Sequence, residues 1–265
     1  MKNLFDMSGK SVVITGGAGD LGQAMTKALL EYGANVTVVG RHDRLGDDFA
    51  AWRAEGRLVF AQRDLATGDG AALALADAEK AFGGVDVLVN NAAFGGGAGG
   101  KSCEFHLDKV DDETWATGID GTLGLSFRCI RAVIPLLEKR GGGVIVNICS
   151  MYSLVAPDFS IYGDNIPWNP PTYGAGKAGL QQLTRYAASA LARKNIRVNA
   201  LTPGPFPKIT DKSDKAFIGR LSAKTMMGRT GRAEELCGAL LLLCSDASSY
   251  MTGTNITVDG GMTVW

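Results

Sequence analysis

A tyrosine and a lysine four residues apart, with a serine upstream, are the side chains best suited to chemistry. Tyr173 and Lys177 open a predicted apolar helix, so they lie on one face, one turn apart. A phenol with a pKa near about 10 is a poor base at neutral pH, but a nearby ammonium favours the phenolate and lowers that pKa. The hydroxyl of Ser150 could hydrogen-bond a substrate oxygen that gains or loses a proton. The three side chains together predict proton transfer beside a cofactor that moves a hydride, although the Tyr-Lys spacing alone also occurs on ordinary helix surfaces.

A glycine-rich turn near the start of the chain predicts a phosphate site. A β-branched run at 10–15 leads into the turn, and an amphipathic stretch that ends at Gly33 follows it. Glycines let the backbone approach a pyrophosphate, and a helix N-terminus supplies free N–H groups and a positive dipole. The alternative is a tight β–α turn that binds no ligand. The candidate cofactor-binding residues of this turn are Thr15, Gly16, Gly17, Ala18, Asp20, Leu21 and Gly22.

The end of the second predicted strand bears on the choice of dinucleotide. Residues 35–39 read as this strand, and Gly40 and Arg41 follow it. In dinucleotide folds an acidic residue here accepts from the ribose 2′-hydroxyl, whereas an arginine accommodates a 2′-phosphate. Arg41 therefore predicts NADP(H) in preference to NAD(H); the alternative is a solvated basic turn.

The predicted strands and helices alternate along the whole chain. This pattern predicts a doubly wound seven-stranded parallel sheet, with helices on both faces and the site at the carboxyl ends of the strands. No linker or change of composition divides the chain, so we expect one domain over residues 1–265. The predicted strands are 10–15, 35–39, 58–61, 85–89, 143–150, 196–201 and 255–258.

The sequence also predicts the character of four further segments. Residues 111–139 read as a long helix that Pro135 kinks or ends, and 234–243 as an apolar helix. The polar stretch 208–224 is expected to be mobile, and the glycine run at 95–100 to be either a mobile rim of the site or a linker.

Composition excludes several functional classes. Lys+Arg and Asp+Glu number 27 each, and this zero net charge argues against a nucleic-acid or membrane-surface partner. Five cysteines without paired spacing indicate reduced thiols and a cytoplasmic location. The N-terminus has no apolar signal segment, no run of apolar residues is long enough to span a membrane, and the two histidines lack clustered ligands for a metal.

The motifs, taken in order, resemble the typical subgroup of the short-chain dehydrogenase/reductase family over nearly the whole chain. No single motif is decisive, but the ordered set is highly specific. The set comprises Thr15-Gly16 with Gly22, Asp64-Leu65, Asn90-Asn91-Ala92, Asn147 with Ser150, Tyr173 with Lys177, Asn199 with Pro203-Gly204, and Asp259-Gly260-Gly261.

The resemblance implies a Rossmann-like fold and NAD(P)(H)-dependent interconversion of an alcohol and a carbonyl. Tyr173 would be the acid and base, Lys177 would lower its pKa and hold the nicotinamide ribose, and Ser150 would orient the substrate oxygen. A homotetramer or homodimer built on the long helix and the Tyr/Lys helix is also implied. Further implied cofactor contacts are Asp64, Leu65, Asn91, Ala92, Pro203, Gly204 and Phe206.

The sequence departs from the family pattern at three places. Asp20 replaces the middle glycine of the turn, where a carboxylate would repel pyrophosphate unless it points to solvent. Thr122 occupies the position of a catalytic asparagine, so the water-mediated proton relay attributed to that asparagine is in doubt. An inserted segment, about 156–171, lengthens the connection between Ser150 and Tyr173.

The substrate remains open between a sugar, polyol or keto sugar acid and a 3-oxoacyl thioester. A different class of function is a non-catalytic dinucleotide-binding sensor on the same fold. If the insertion forms a wall of the substrate site, it favours a sugar, polyol or keto sugar acid as the substrate. The alternative is that the insertion forms a flap at a subunit interface. Its prolines are at 157, 167, 170 and 171, and its other notable residues are Phe159, Tyr162, Trp168, Asp158, Asp164, Asn165 and Asn169.

Overall fold

The computed structural model describes residues 3–94, 105–163 and 166–265, and its central element is a parallel sheet. The sheet has seven strands in the order β3-β2-β1-β4-β5-β6-β7, and every pairing is parallel. The predicted sheet is therefore confirmed. Its strands are β1 (Ser11–Thr15), β2 (Asn35–Gly40), β3 (Leu58–Gln62), β4 (Val87–Asn90), β5 (Gly143–Ile148), β6 (Ile196–Pro203) and β7 (Asn255–Val258).

Helices cover both faces of the sheet and form two apolar cores. Strand β1 is buried throughout, as expected of a central parallel strand. Its side chains alternate between the cores: Val12 and Ile14 face one, and Val13 faces the other. The helices are α1 (Asp20–Glu31), α2 (Ala50–Ala54), α3 (Gly70–Phe82), α4 (Asp112–Ile119), α5 (Leu125–Lys139), α6 (Pro171–Leu191), α7 (Lys215–Ser222) and α8 (Cys237–Cys244).

The strand order reverses between β1 and β4, and this reversal locates the site. From β1 the chain builds outward to β2 and β3, and then crosses to β4 and the strands beyond it. Ligands of such sheets bind in the crevice at the carboxyl ends of the strands beside the reversal. The candidate residues after β1, β4 and β5 all belong to this edge.

The predicted long helix is divided into three segments. A π-helical segment, Asp120–Gly124, separates α4 from α5. Pro135 lies inside α5 and does not end it, because Val133 and Leu137 on either side are buried in the core. Packing therefore outweighs the hydrogen bond that proline removes, and of the two predicted effects of Pro135, a kink or an end of the helix, the end does not occur.

The segment expected to be mobile, 208–224, contains the ordered helix α7. The carboxylate of Asp214 accepts the backbone N–H groups of Ala216 and Phe217, which caps the first turn. Leu221, one turn after Phe217, is buried. The polar composition concealed this short apolar stripe, so the expectation of mobility was wrong for these residues.

The other observed element boundaries differ from the predicted ones by one or two residues. The predicted helix 234–243 is a 3₁₀ turn, Ala233–Leu236, followed by α8. The glycine run 95–100 and the residues Asp164 and Asn165 lie outside the described residues. Within the described ranges, no helix is long and apolar enough to cross a membrane. The same ranges hold no cluster of His, Cys, Asp and Glu that could bind a metal ion.

Candidate active site

Strand β5 and helix α6 bring the three predicted catalytic side chains together. Ser150 follows β5, and Pro171 at the first position of α6 places Tyr173 and Lys177 in its opening turns. The hydroxyl of Ser150 lies close enough to Tyr173 to lower the pKa of its phenol. The Nζ of Lys177 lies 6.0 Å from the centre of the Tyr173 ring and donates to the carbonyl of Ile148 at 2.7 Å. The arrangement expected from the sequence is therefore present.

Burial is the largest influence on the pKa of Tyr173. Burial raises the pKa of Tyr173, and the hydrogen bond from Ser150 only partly opposes that rise. Burial lowers the pKa of Lys177, since a charged ammonium loses its hydration there. The ammonium of Lys177 donates to the Ile148 carbonyl, and its predicted effect on the pKa of Tyr173 stays a prediction. A phenol with a raised pKa keeps its proton and is suited to donating it.

Thr122 is buried against the helix that carries Lys177. Its hydroxyl donates to the carbonyl of Gly118 at 2.8 Å and approaches that of Ile119 at 3.3 Å. A Cβ added to Gly176 would lie only 1.8 Å from the Thr122 hydroxyl oxygen, so the two helices meet closely here. The hydroxyl is thus committed to its own helix and does not project toward the site.

The amides at the end of β4 fix the neighbouring strands. The backbone N–H groups of Asn91 and Ala92 both donate to the hydroxyl of Thr15 at 3.0 Å. The side chain of Asn91 donates to the carbonyls of Thr15 and Gly16, also at 3.0 Å. These bonds hold the adjacent strands β1 and β4 in place.

A second series of side-chain hydrogen bonds connects the carboxyl ends of β4 and β5 to α6, and it was not predicted from the sequence. The Asn90 side chain donates to Asn147 at 2.9 Å, and Asn147 donates to the hydroxyl of Thr184 at 2.8 Å. All three side chains are buried. The spacing of Asn90 and Asn147 at equivalent strand ends was the signal that could have predicted the first of these bonds.

The glycine-rich turn is shaped for the close approach of a dinucleotide. Gly16 has a φ of +65°, and a Cβ there would lie 3.1 Å from the Cα of Ala92. A Cβ at Gly22 would lie 2.2 Å from the carbonyl oxygen of Gly16, so no other residue fits without displacing the turn. The residue before α1, Gly19, has no side chain to cap the helix, which leaves its first N–H groups for a ligand. The turn therefore fits a pyrophosphate group.

The other predicted cofactor residues lie at the same edge of the sheet. Arg41 is exposed directly after β2. Phe206 packs on the backbone of Gly231, which in turn donates to the carbonyl of Pro205 at 2.9 Å. The remaining residues of this group follow their strands as expected: Asp64 and Leu65 after β3, Asn91 and Ala92 after β4, and Pro203 and Gly204 at the end of β6.

Asp20 takes part in an ion pair that the sequence analysis missed. Its carboxylate lies 2.6 Å from the ammonium of Lys208, on the loop after β6. The two residues are 188 positions apart. The lysine directly follows the proline-rich end of β6, but only the folded chain shows its partner.

The insertion packs against α7 and its C-terminal side. The guanidinium of Arg220 donates to the carbonyl of Ile161 at 2.7 Å, and Lys224 forms an ion pair with Asp158 at 2.5 Å. Ile161, Tyr162 and Leu221 form an apolar cluster of their own. Partly buried side chains that pack against this cluster are Ile166, Trp168 and Phe217.

Aromatic rings of the insertion pack together, and the hydroxyls of Tyr152 and Tyr162 lie near Tyr173. Phe159 and Trp168 are stacked with ring centres 4.5 Å apart, and His106 is 5.4 Å from Trp168. The hydroxyls of Tyr152 and Tyr162 are 3.2 Å apart, and both rings are buried. Burial raises the pKa of Tyr152, and the nearby Tyr173 contributes to that rise. Tyr152, which is two residues after Ser150, was overlooked in the sequence.

Comparison with known proteins places the chain among oxidoreductases. A family model described as enoyl-(acyl carrier protein) reductase matches residues 16–263. The chain is 34% identical over 271 residues to 3beta-hydroxysteroid dehydrogenase 1 of Eggerthella lenta, covering 98% of this chain and 96% of that protein. It is 33% identical over 267 residues to gluconate 5-dehydrogenase of Gluconobacter oxydans, covering 99% and 98%. A solved gluconate 5-dehydrogenase of Burkholderia cenocepacia, in complex with NADP and tartrate, has a TM-score of 0.84 at 29% identity and covers 99% of this chain and 98% of that one.

Proposed function

Because the chain belongs to the short-chain dehydrogenase/reductase family and is an NAD(P)-dependent oxidoreductase of alcohol and carbonyl groups, we propose that Tyr173, Ser150 and Lys177 are its catalytic residues. The observation that carries this proposal is the grouping of the buried Ser150 and the buried Lys177 around Tyr173, with the Lys177 Nζ 6.0 Å from the centre of its ring.

In the direction of reduction, Tyr173 donates its proton to the substrate carbonyl oxygen as that oxygen gains negative charge. The hydroxyl of Ser150 hydrogen-bonds the same oxygen and orients it. Lys177 has three donors, and the bond to Ile148 uses one, so the others are left for the phenolate and a nicotinamide ribose. A bound nicotinamide cofactor supplies or accepts the hydride. In oxidation the same residues act in reverse, with Tyr173 as the base.

The candidate cofactor residues form one edge from the glycine-rich turn to Phe206, and NADP(H) is the cofactor we assign to it. The exposed Arg41 after β2 offers a two-pronged donor for a 2′-phosphate, and the adjacent Gly40 provides no carboxylate for a 2′-hydroxyl. NADP in the Burkholderia cenocepacia structure supports the choice by analogy.

The substrate class that we assign is a sugar, polyol or keto sugar acid. The rings of Phe159 and Trp168 offer stacking surfaces, while the hydroxyls of Tyr152 and Tyr162 add polar groups close to Tyr173. Asn169 lies close enough to Tyr162 to lower the pKa of its phenol, and it adds a buried amide to the same group. Two gluconate 5-dehydrogenases among the similar proteins support this class.

A second candidate substrate is a bulky apolar carbonyl compound, such as a steroid. The stacked pair of Phe159 and Trp168 favours it, as does the similarity to 3beta-hydroxysteroid dehydrogenase 1. The 3-oxoacyl thioester remains the alternative within the family, while zero net charge gives no attraction for an acidic carrier protein. A screen of keto sugar acids, ketosteroids and oxoacyl thioesters, each with NADPH and NADH, separates the three.

Replacement of Tyr173 tests the catalytic assignment. Tyr173→Phe should lower kcat by about a hundred- to ten-thousandfold, because the general acid is lost, while NADPH still binds. Tyr186→Phe is the matched control, since Tyr186 lies on the same helix and is 72% exposed. Near-normal turnover in Tyr173→Phe would refute the assignment. If the wild type binds dinucleotide but turns over no carbonyl of the screen, the sensor alternative is favoured.

The proposal extends to the organisation of the protein. All 265 residues form one NAD(P)-binding domain, which acts in the cytoplasm as a homotetramer or homodimer. The helices α5 and α6 supply the interface, and their exposed apolar side chains, Phe127 and Tyr186, support this arrangement. Light scattering gives the mass that checks it.

A further inference from the structure

The glycine-rich turn carries a negatively charged carboxylate, Asp20, at the place where the negatively charged pyrophosphate of a dinucleotide would bind. Asp20 is the first residue of α1, directly after Gly19, and its side chain is 58% exposed. Two like charges within a few ångströms repel each other even near a protein surface. Asp20 alone would therefore oppose the binding of a pyrophosphate at this helix N-terminus.

The ion pair with Lys208 changes the charge at this position. The Lys208 ammonium is 2.6 Å from the carboxylate of Asp20, and its side chain is 65% exposed. Exposed ion pairs contribute little to the stability of a fold. The main consequence of this pair is therefore electrostatic: the carboxylate is neutralised, and an ammonium is held beside the turn.

The pair also connects two separate parts of the cofactor edge. Asp20 belongs to the turn after β1, and Lys208 to the loop that follows Pro203 and Gly204 at the end of β6. In the sheet, β4 and β5 lie between β1 and β6. An ammonium has three donors, so Lys208 is able to bond Asp20 and a phosphate oxygen together.

We propose that Lys208 is a pyrophosphate-binding residue of this protein and that Asp20 positions it. The inference rests on the proposed dinucleotide site. In this arrangement the carboxylate, which would be harmful by itself, holds a cation where the pyrophosphate binds. The affinity for NADPH and for NADH depends on both residues jointly, because the pyrophosphate is common to the two cofactors.

The test is a set of binding titrations without substrate, followed by the fluorescence of NADPH and NADH. Lys208→Met keeps the apolar stem and should raise the Kd of both cofactors by about five- to thirtyfold. Asp20→Asn removes the repelling charge together with the carboxylate that positions Lys208; the two effects oppose each other, so Kd should change less than in Lys208→Met. The double variant should regain at least about threefold of the affinity lost in Lys208→Met, since no unpaired carboxylate remains.

Lys212→Met is the matched control, because Lys212 is an exposed lysine of the same loop, and it should bind like the wild type. Far-UV circular dichroism and thermal unfolding check that every variant is folded. A Kd of Lys208→Met within twofold of wild type overturns the proposal, and so does a double variant no better than Lys208→Met. If the wild type itself binds neither dinucleotide, the proposed cofactor site fails and this inference falls with it.

Discussion

At the scale of single residues, burial shifts the pKa values of Tyr173 and Lys177 in opposite directions. The pKa of the phenol rises and that of the ammonium falls, each because a charged form loses hydration. A protonated Tyr173 is ready to act as an acid, so carbonyl reduction requires no prior change in its protonation. Alcohol oxidation, by contrast, requires the phenolate and should become faster as pH rises.

Arg41 decides the cofactor if the proposed preference is right. Arg41→Ala should lower the ratio of kcat/KM for NADPH over NADH by roughly 5- to 150-fold, since a charge-assisted pair contributes about 1–3 kcal/mol. Arg44→Ala, on the same exposed turn, is the control and should leave the ratio unchanged. A strong NADH preference that persists in Arg41→Ala would contradict the assigned role.

Thr122 should be dispensable for proton transfer because its hydroxyl already bonds its own helix. Thr122→Val keeps the shape and removes the hydroxyl, and turnover should stay within about threefold of the wild type. Thr122→Asn should also retain activity, or increase it, but the tight contact with Gly176 should cost about 1–3 kcal/mol of stability. Steady-state kinetics and denaturant unfolding measure the two effects. A loss as large as that of Tyr173→Phe would show a specific function for Thr122.

At the scale of elements, the insertion and α7 form one unit beside the catalytic residues. The ion pair of Asp158 with Lys224 and the bond from Arg220 to Ile161 join them. The hydrogen bonds of Lys224 and Ser160 lower the pKa of Asp158 to about 2. The carboxylate therefore stays charged as pH falls through the usual range of aspartate, and the ion pair breaks only when Asp158 is protonated near pH 2.

Trp168 distinguishes a substrate wall from a subunit interface. Trp168→Ala removes the ring stacked on Phe159, so KM should rise by about tenfold, or substrate preference should change, while the oligomer keeps its mass. Trp115→Ala is the control, since Trp115 is an exposed ring on α4 and should leave KM unchanged. If Trp168→Ala instead splits the oligomer without altering the kinetics of each folded subunit, the interface interpretation is correct.

The elements also show how far the sequence could predict the structure. The strands were predictable because β-branched runs that are buried on both faces leave a clear pattern, as in β1. The closeness of Tyr173 and Lys177 was predictable because the two residues are one turn apart on one helix. The packing of α7 on the insertion and the pairing of Asp20 with Lys208 were not, since both depend on interactions between segments distant in sequence.

At the scale of the whole molecule, the buried cysteines should report on global unfolding. Burial raises the pKa of Cys149 to about 11 and those of Cys129 and Cys244 to about 12. The reactive thiolate is therefore scarce at pH 8, and only a large opening exposes these thiols. Iodoacetamide should leave all three unmodified in the native protein and label them in guanidinium, as measured by peptide mass spectrometry. Rapid native labelling of any of the three would contradict this.

The separate apolar cluster of the insertion has a consequence for the effect of substitutions within it. Ile161, Tyr162 and Leu221 are grouped apart from the two cores that hold the sheet. Substitutions in distant, independently packed regions usually have additive effects on stability. Changes among these three residues should therefore alter the packing of the insertion on α7 with little effect on the packing of the sheet.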